Sequence, residues 1–359
     1  MNTYETNLKL AGRIAALMLA VASGQVFGQT HVHNPRIARA VAPRAVSPGA
    51  SVAAERYVFG RADLAVGSGP LAVAIGAFQT GGPQSLAVAN SGANTVSILL
   101  RNPDGTYQAA VDYPTGLSEV QTVITGDFNG DHNPDLALAA YDSDTVAVLL
   151  GNGDGTFQPA VNYPAGAKDD GFSLAAADFN RDGHLDLAVL NTSTDTVSIL
   201  LGNGDGTFQP PVTYGTGDYP AGLAVGDFNG DGIPDLAAAN YQGNTVSILL
   251  GNGDGTFMPQ VQYVTGPYPV AVAVGDFNGD GKLDLATTDS FSNAASVLLG
   301  NGDGTFHAHV DYATGISPTD LVAGDFNGDG RLDLAVTNSY DNTISVLLGK
   351  GNGTFEKAY

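Results

Sequence analysis

The chain has no cysteine in its 359 residues. That excludes a disulfide, a thiolate metal site and a cysteine nucleophile, so stability must come from packing and bound ions. Charge is scarce at 14% of residues, and it is one-sided: 14 Lys and Arg face 36 Asp and Glu, a formal net charge of −22. Residues 1–56 carry +4 of this balance and residues 57–359 carry −26. A body that acidic repels nucleic acid and anionic membrane surfaces. Long apolar runs are missing as well. Ile14–Ala22 is only nine residues, whereas a bilayer core takes about 20, and no later stretch is long enough either. Of the 6 histidines, His31 and His33 precede the repetitive body, His132 and His184 fall in acidic loops, and His307 and His309 share one strand. None pairs with a recurring serine, so no catalytic constellation is legible and an enzyme is not expected.

What the chain has in excess is glycine, 48 residues, or about 13% against a usual ~7%. The glycines fall at fixed offsets, which signals turns rather than disorder. The most regular recurring stretch is Asp227-Phe228-Asn229-Gly230-Asp231-Gly232-Ile233-Pro234-Asp235. Oxygen-bearing side chains stand at its first, third, fifth and ninth positions. Such hard ligands suit Ca²⁺, which takes six to eight of them. The stretch begins again at Asp127, Asp178, Asp276 and Asp325, so successive starts differ by 51, 49, 49 and 49 residues. That regularity predicts a repeat architecture. Two carboxylates ~4 Å apart repel by roughly 4 kcal/mol at an effective dielectric of 20. Three in one loop therefore predict a cation.

Each repeat reads as four strands. In the unit of Asp227, Pro220–Phe228 is a short apolar strand and Asp235–Asn240 is small and apolar, as a strand buried on both faces would be. Thr245–Leu250 is β-branched and aliphatic, and Thr256–Tyr263 is a fourth strand whose Pro259 fits only an edge. Four antiparallel strands in this span make one propeller blade. Six units are visible, which predicts an all-β, six-bladed β-propeller of four-stranded antiparallel blades, with a seven-bladed ring as the alternative. The first unit keeps Phe78 but has no carboxylate between Ala77 and Ser85, so it is expected to bind no metal. The last unit stops short of its fourth strand, and residues 57–68 are expected to supply it from the N-terminal side, paired near Thr343–Leu348.

The acidic loops, with their Asp-Phe-Asn-Gly-Asp-Gly core, resemble the FG-GAP or VCBS repeats of the integrin α-chain N-terminal propeller, over about residues 57–359. The resemblance implies calcium held between the first and second strands of a blade. The implied side-chain ligands are Asp127, Asn129, Asp131 and Asp135; Asp178, Asn180, Asp182 and Asp186; and Asp227, Asn229, Asp231 and Asp235. Asp276, Asn278, Asp280 and Asp284, with Asp325, Asn327, Asp329 and Asp333, complete the five sets. The seventh position would offer a backbone carbonyl, which lets Asn133, His184, Ile233, Lys282 and Arg331 differ so widely. An EF-hand is excluded: it needs Glu at the twelfth position, where Leu138, Val189, Ala238, Thr287 and Val336 stand. His132 and Arg181 replace loop glycines and mark the two least regular sites.

A second string, Gly-Asn-Gly-Asp-Gly-Thr-Phe, recurs at Gly151, Gly202, Gly251 and Gly300 and reads as a hairpin turn. Phe128, Phe179, Phe228, Phe277 and Phe326, one per unit, read as core. The acidic loops and these turns should share one rim. The other rim varies, with Tyr141, Thr192, Tyr241, Phe291 and Tyr340 in turns, and Lys168-Asp169-Asp170, Tyr219 and Tyr268 in connections. Aromatics on loops above a rigid scaffold suit contact with a partner. The functional expectation is a monomeric, secreted or periplasmic, calcium-binding module for an extracellular protein or glycan, with adhesion among its roles. A propeller-scaffold glycan hydrolase or lyase is the alternative.

Export is expected from the first segment. Lys9 and Arg13 precede the apolar run, Ala20-Val21-Ala22 offers a small-residue cleavage site, and Gln29–Arg56 reads as a flexible linker, leaving residues 1–28 as a signal peptide. Expressed with this leader in a bacterium, the chain should leave the cytoplasm shortened by about 22 to 28 residues. Intact-mass measurement of exported protein that still carries Met1 would refute the leader.

Overall fold

A computed structural model describes residues 63–141, 143–166 and 173–358. The leader and linker, and residues 57–62 of the expected closing strand, lie outside the described residues. Within them, 23 strands form six antiparallel sheets, five of four strands and a sixth of three. The fold is a six-bladed β-propeller. Among the described residues no helix is long and apolar enough to cross a membrane.

The fourth blade shows why the sequence folds this way. Its strands are β13 (Pro220–Gly226), β14 (Asp235–Asn240), β15 (Thr245–Leu249) and β16 (Val261–Val264), paired in that order. One row of the register runs Ala224, Ala237, Ile248, Val261 across all four. Every residue of β14 is buried, because neighbouring blades cover both its faces. Alanine at 237, 238 and 239 lets those neighbours approach. By contrast β16 is mostly exposed. It is also shorter than the sequence suggested: Phe257 makes only an isolated bridge to Gly251, and Pro259 precedes the strand instead of lying in its edge.

Blades are joined by a repeated aromatic clasp. Phe228 of the fourth blade meets Phe306 of the fifth edge to face, with centroids 5.6 Å apart, and Tyr263 closes on the same ring at 5.4 Å. The N–H of Gly304 donates to the Phe228 carbonyl at 2.9 Å. Beneath the rings, Val246 and Ile248 pack against Leu285 and Leu298. Phe78–Phe157, Phe128–Phe208, Phe179–Phe257 and Phe277–Phe355 repeat the contact, so five junctions share one design. Offset and edge-on ring pairs of this kind contribute about 0.5–1.5 kcal/mol beyond their burial.

Beyond the sixth blade the clasp does not repeat among the described residues. The sixth blade comprises β21 (Pro318–Gly324), β22 (Asp333–Asn338) and β23 (Thr343–Leu347). Phe326 is only half-buried, and Ile344 is 40% exposed although its counterpart Val246 is fully buried. Asp63–Ser68, the part of the expected closing strand that is described, is not in a strand. Substitutions on the same face of two blades measure the difference. In urea unfolding, Ile248→Ala should cost about 2–5 kcal/mol, and Ile344→Ala under about 1 kcal/mol. An equal loss at both would mean that Ile344 is covered in solution.

Candidate metal loops and the opposite rim

The first, third and fifth side chains of each acidic loop curl into the loop itself. In the fourth blade Asp227 Oδ1 accepts the N–H groups of Gly230 and Asp231 at 2.8 and 3.1 Å, and its Oδ2 accepts that of Gly232 at 2.8 Å. Asn229 accepts from the N–H of Asp231 and donates its amide to the Asp231 carboxylate, which in turn accepts the N–H of Ile233. The pattern recurs around Asp127, Asn129 and Asp131; Asp178, Asn180 and Asp182; Asp276, Asn278 and Asp280; and Asp325, Asn327 and Asp329. It needs positive φ, which Gly230 and Gly232 supply at 75° and 77°. The irregular loops adopt it without glycine, His132 at 66° and Arg181 at 61°. Both have offsetting contacts: His132 Nδ1 lies 3.5 Å from Asp127, and the Arg181 guanidinium donates to the Gly232 carbonyl of the next blade at 3.1 Å.

The ninth position turns the other way. Asp235 is buried, one carboxylate oxygen accepting the N–H of Phe228 and the other that of Gly251, both at 2.8 Å. Asp135, Asp186, Asp284 and Asp333 do the same in their blades. Burial pushes Asp135, Asp186 and Asp235 up to about 6 and raises Asp284, although the N–H donors pull the other way. The seventh side chain has a third task. A Cβ at Gly153, Gly204, Gly253, Gly302 or Gly351 would strike Asn133, His184, Ile233, Lys282 or Arg331, so this residue covers the turn of its own blade. Any side chain with some reach can do that.

Among the described residues, no three Asp, Glu or His side chains converge as a ready-made metal cage. Each loop offers two carboxylates and an amide oxygen at its surface, with a third carboxylate shared with the backbone. All are hard oxygen donors, and a hydrogen-bonded carboxylate oxygen keeps a further lone pair. The donor chemistry fits Ca²⁺. The Gly-Asn-Gly-Asp turns are closed locally: in the fourth blade the hydroxyl and N–H of Thr256 hold the Asp254 carboxyl below its usual range.

One buried polar position escaped the sequence reading. Asn191, Asn240 and Asn338, five residues past the ninth loop position, each donate to a serine on the next strand, Ser198, Ser247 or Ser345, at 2.8 to 2.9 Å. The fifth blade has Asp289 there. Ser296 Oγ lies 2.5 Å from Asp289 and 2.8 Å from Asp311, yet a hydroxyl has one proton and serves one carboxylate at a time. Burial pushes Asp289 up to about 7, against Ser296 and Thr287, while the Asp311 charge adds to the rise and His309 opposes it. Aligning the repeats by period would have exposed this exchange.

On the opposite rim Phe291 and Tyr340 are 74% and 73% exposed, and Tyr141, Tyr219, Tyr241 and Tyr268 are half-buried. Thr192 is buried instead, its hydroxyl donating to the Pro220 carbonyl at 2.7 Å. Lys168-Asp169-Asp170 lies outside the described residues.

Comparison with known proteins places these features. The model of the FG-GAP-like repeat matches five times, over residues 127–189, 183–238, 227–287, 276–336 and 325–358. No curated protein matches the chain. Among solved structures it is similar to an Agrocybe aegerita lectin that recognises non-reducing terminal N-acetylglucosamine, with a TM-score of 0.57 and 21% identity over 79% of this chain and 78% of the lectin. It is similar also to a catalytically inactive virginiamycin B lyase from Staphylococcus aureus, at TM-score 0.55 and 15% identity over 81% and 83%. A protein of unknown function from Desulfotomaculum acetoxidans gives TM-score 0.60 and 12% identity over 82% and 86%. At these identities the likeness is one of fold.

The Asp289 exchange has a testable sign. Its folded-state value lies above the ordinary 3.8, so the stability linked to its protonation is lost as pH rises through about 7. Asp289→Asn removes that loss. The variant should melt above the parent by a margin that widens from about pH 5 to about pH 8; a margin independent of pH would contradict the assignment.

Proposed function

The chain belongs to the FG-GAP-like repeat family, and from that premise we propose that it is an exported, calcium-stabilised propeller that binds an extracellular protein or glycan. The observation that carries the metal is the five-fold recurrence of the same hard-oxygen loop on one rim. Asp127, Asn129 and Asp131, and their equivalents in the next four blades, would hold the ion, joined by the ninth-position carboxylates. Bound calcium would neutralise the charge crowded there and favour the ionised form of the buried carboxylates. Export rests on the leader read in residues 1–28.

Both a lectin and a lyase share the fold, so the fold alone does not choose between binding and catalysis. Binding is favoured because the carboxylates are engaged in loops and turns, while the opposite rim presents aromatic rings. The protein is taken as a monomer without nucleic-acid partners.

Calcium that binds only the folded chain adds about 2.7 kcal/mol per site at ~100 times Kd, and less for weaker sites. The melting temperature should therefore fall on chelation and recover with Ca²⁺, with Mg²⁺ a poor substitute. Asp231→Ala should lower both metal stoichiometry and stability, whereas Gln79→Ala in the first blade should change neither. Zero calcium by elemental analysis, or a melting curve indifferent to EDTA, would remove the metal from the proposal.

A further inference from the structure

On the rim opposite the acidic loops, four aromatic rings touch in sequence across the fourth and fifth blades. Tyr219 lies 5.8 Å from Tyr241, Tyr241 lies 4.9 Å from Tyr268, and Tyr268 lies 5.6 Å from Phe291, centroid to centroid. They alternate between blade-to-blade connections (Tyr219, Tyr268) and turns within a blade (Tyr241, Phe291). The backbone fixes each in place. The N–H of Tyr219 donates to Asp195 and that of Tyr268 to Asn244, at 2.7 and 2.9 Å, and their carbonyls accept the N–H groups of Tyr241 and Ser290.

Both connection tyrosines are left-handed, at φ 58°. The same connection position is left-handed at Gly69 (65°), Glu119 (53°) and Ser317 (56°) in the first, second and sixth blades, so the conformation belongs to the fold and the ring is what the fourth and fifth blades add. Here tyrosines occupy the position in two adjacent connections and extend one row of rings.

We propose that this row is a binding site for a neutral polysaccharide chain, the sugar rings stacking along Tyr219, Tyr241, Tyr268 and Phe291. The proposal rests on the binding-module reading and names its ligand class. Three observations select the class. The rings are consecutive, with centroid steps of 4.9 to 5.8 Å, comparable to the length of one pyranose unit, which suits a linear chain better than a single anchored side chain. Tyrosine joins an apolar face to a polar edge, as a sugar does. The body carries a charge of −26 over residues 57–359, and Asp195 and Asp218 flank the row, so sulfated or uronic chains are repelled.

The test is native electrophoresis, with calcium present, through gels cast with xyloglucan, galactomannan or hydroxyethyl cellulose, and with heparin as the anionic control. Retardation is expected on at least one neutral polymer and not on heparin. Phe291→Ala should weaken it by about tenfold or more without lowering the melting temperature, since that ring is 74% exposed. Tyr268→Gly, which relieves the left-handed strain, should weaken it similarly. Tyr340→Ala, an exposed ring of the sixth blade outside the row, should leave it unchanged. Retardation that survives both row variants overturns this site while leaving the binding-module reading intact. No retardation on any neutral polymer, or capture of a decalysine peptide by the row in place of the polymers, overturns the assignment of a polysaccharide.

Discussion

The blades depend on a carboxylate that never reaches the surface. In the fourth blade Asp235 ties three pieces of chain together: the loop through Phe228, its own strand, and the turn through Gly251. The turn so fixed carries the phenylalanine that clasps the preceding blade, and the loop carries the phenylalanine that clasps the next. The first blade shows what remains without the acid. Ser85 occupies the same register and accepts one N–H, that of Arg101, at 3.0 Å. Its loop leans on the neighbour instead, the N–H of Thr80 donating to the Gly153 carbonyl at 2.9 Å. One neutral hydroxyl and a borrowed contact replace two bonds to a buried acid, so this blade folds without any of the loop chemistry of the other five.

Much of this was legible in the sequence because the repeat is strict. Oxygen side chains at fixed spacing marked the loops, alanine-rich runs marked the strands buried on both faces, and one phenylalanine per unit marked the core. Spacing cannot say which way a side chain turns. Asp231 and Asp235 look alike in the string, yet one curls into an exposed loop and the other is buried under a turn. The fourth strand was drawn too long because Phe257 and its neighbours have strand-like composition, while Phe257 makes a single bridge and the strand itself is Val261–Val264. Thr192 looked like a surface residue because it sits in a turn, but its hydroxyl found a backbone carbonyl and was buried. Asp289 stands out in the sequence against Asn191, Asn240 and Asn338 at the same place in the repeat, but its partners Ser296 and Asp311 do not.

The two rims divide the labour of the fold. One is nearly the same in every repeat, because each loop there must satisfy the same buried carboxylate and the same clasp. The other is held by backbone bonds and by one recurring Asn or Asp of the turn (Asn94, Asp195, Asn244, Asn293) that accepts the connection N–H, which leaves the neighbouring positions few demands. Sequence variation can gather there without harming the packing.

The clasp also has a direction. At each of the five junctions a blade gives a loop phenylalanine to the blade after it, so the contact is head-to-tail. Contacts of that type either return to their origin as a ring or continue into another molecule as a filament. The far face of the sixth blade, with Ile344 40% exposed, is therefore where the molecule's status as a discrete particle is decided. Whatever completes that junction acts as a chain terminator for a polymer whose other five couplings are already built in.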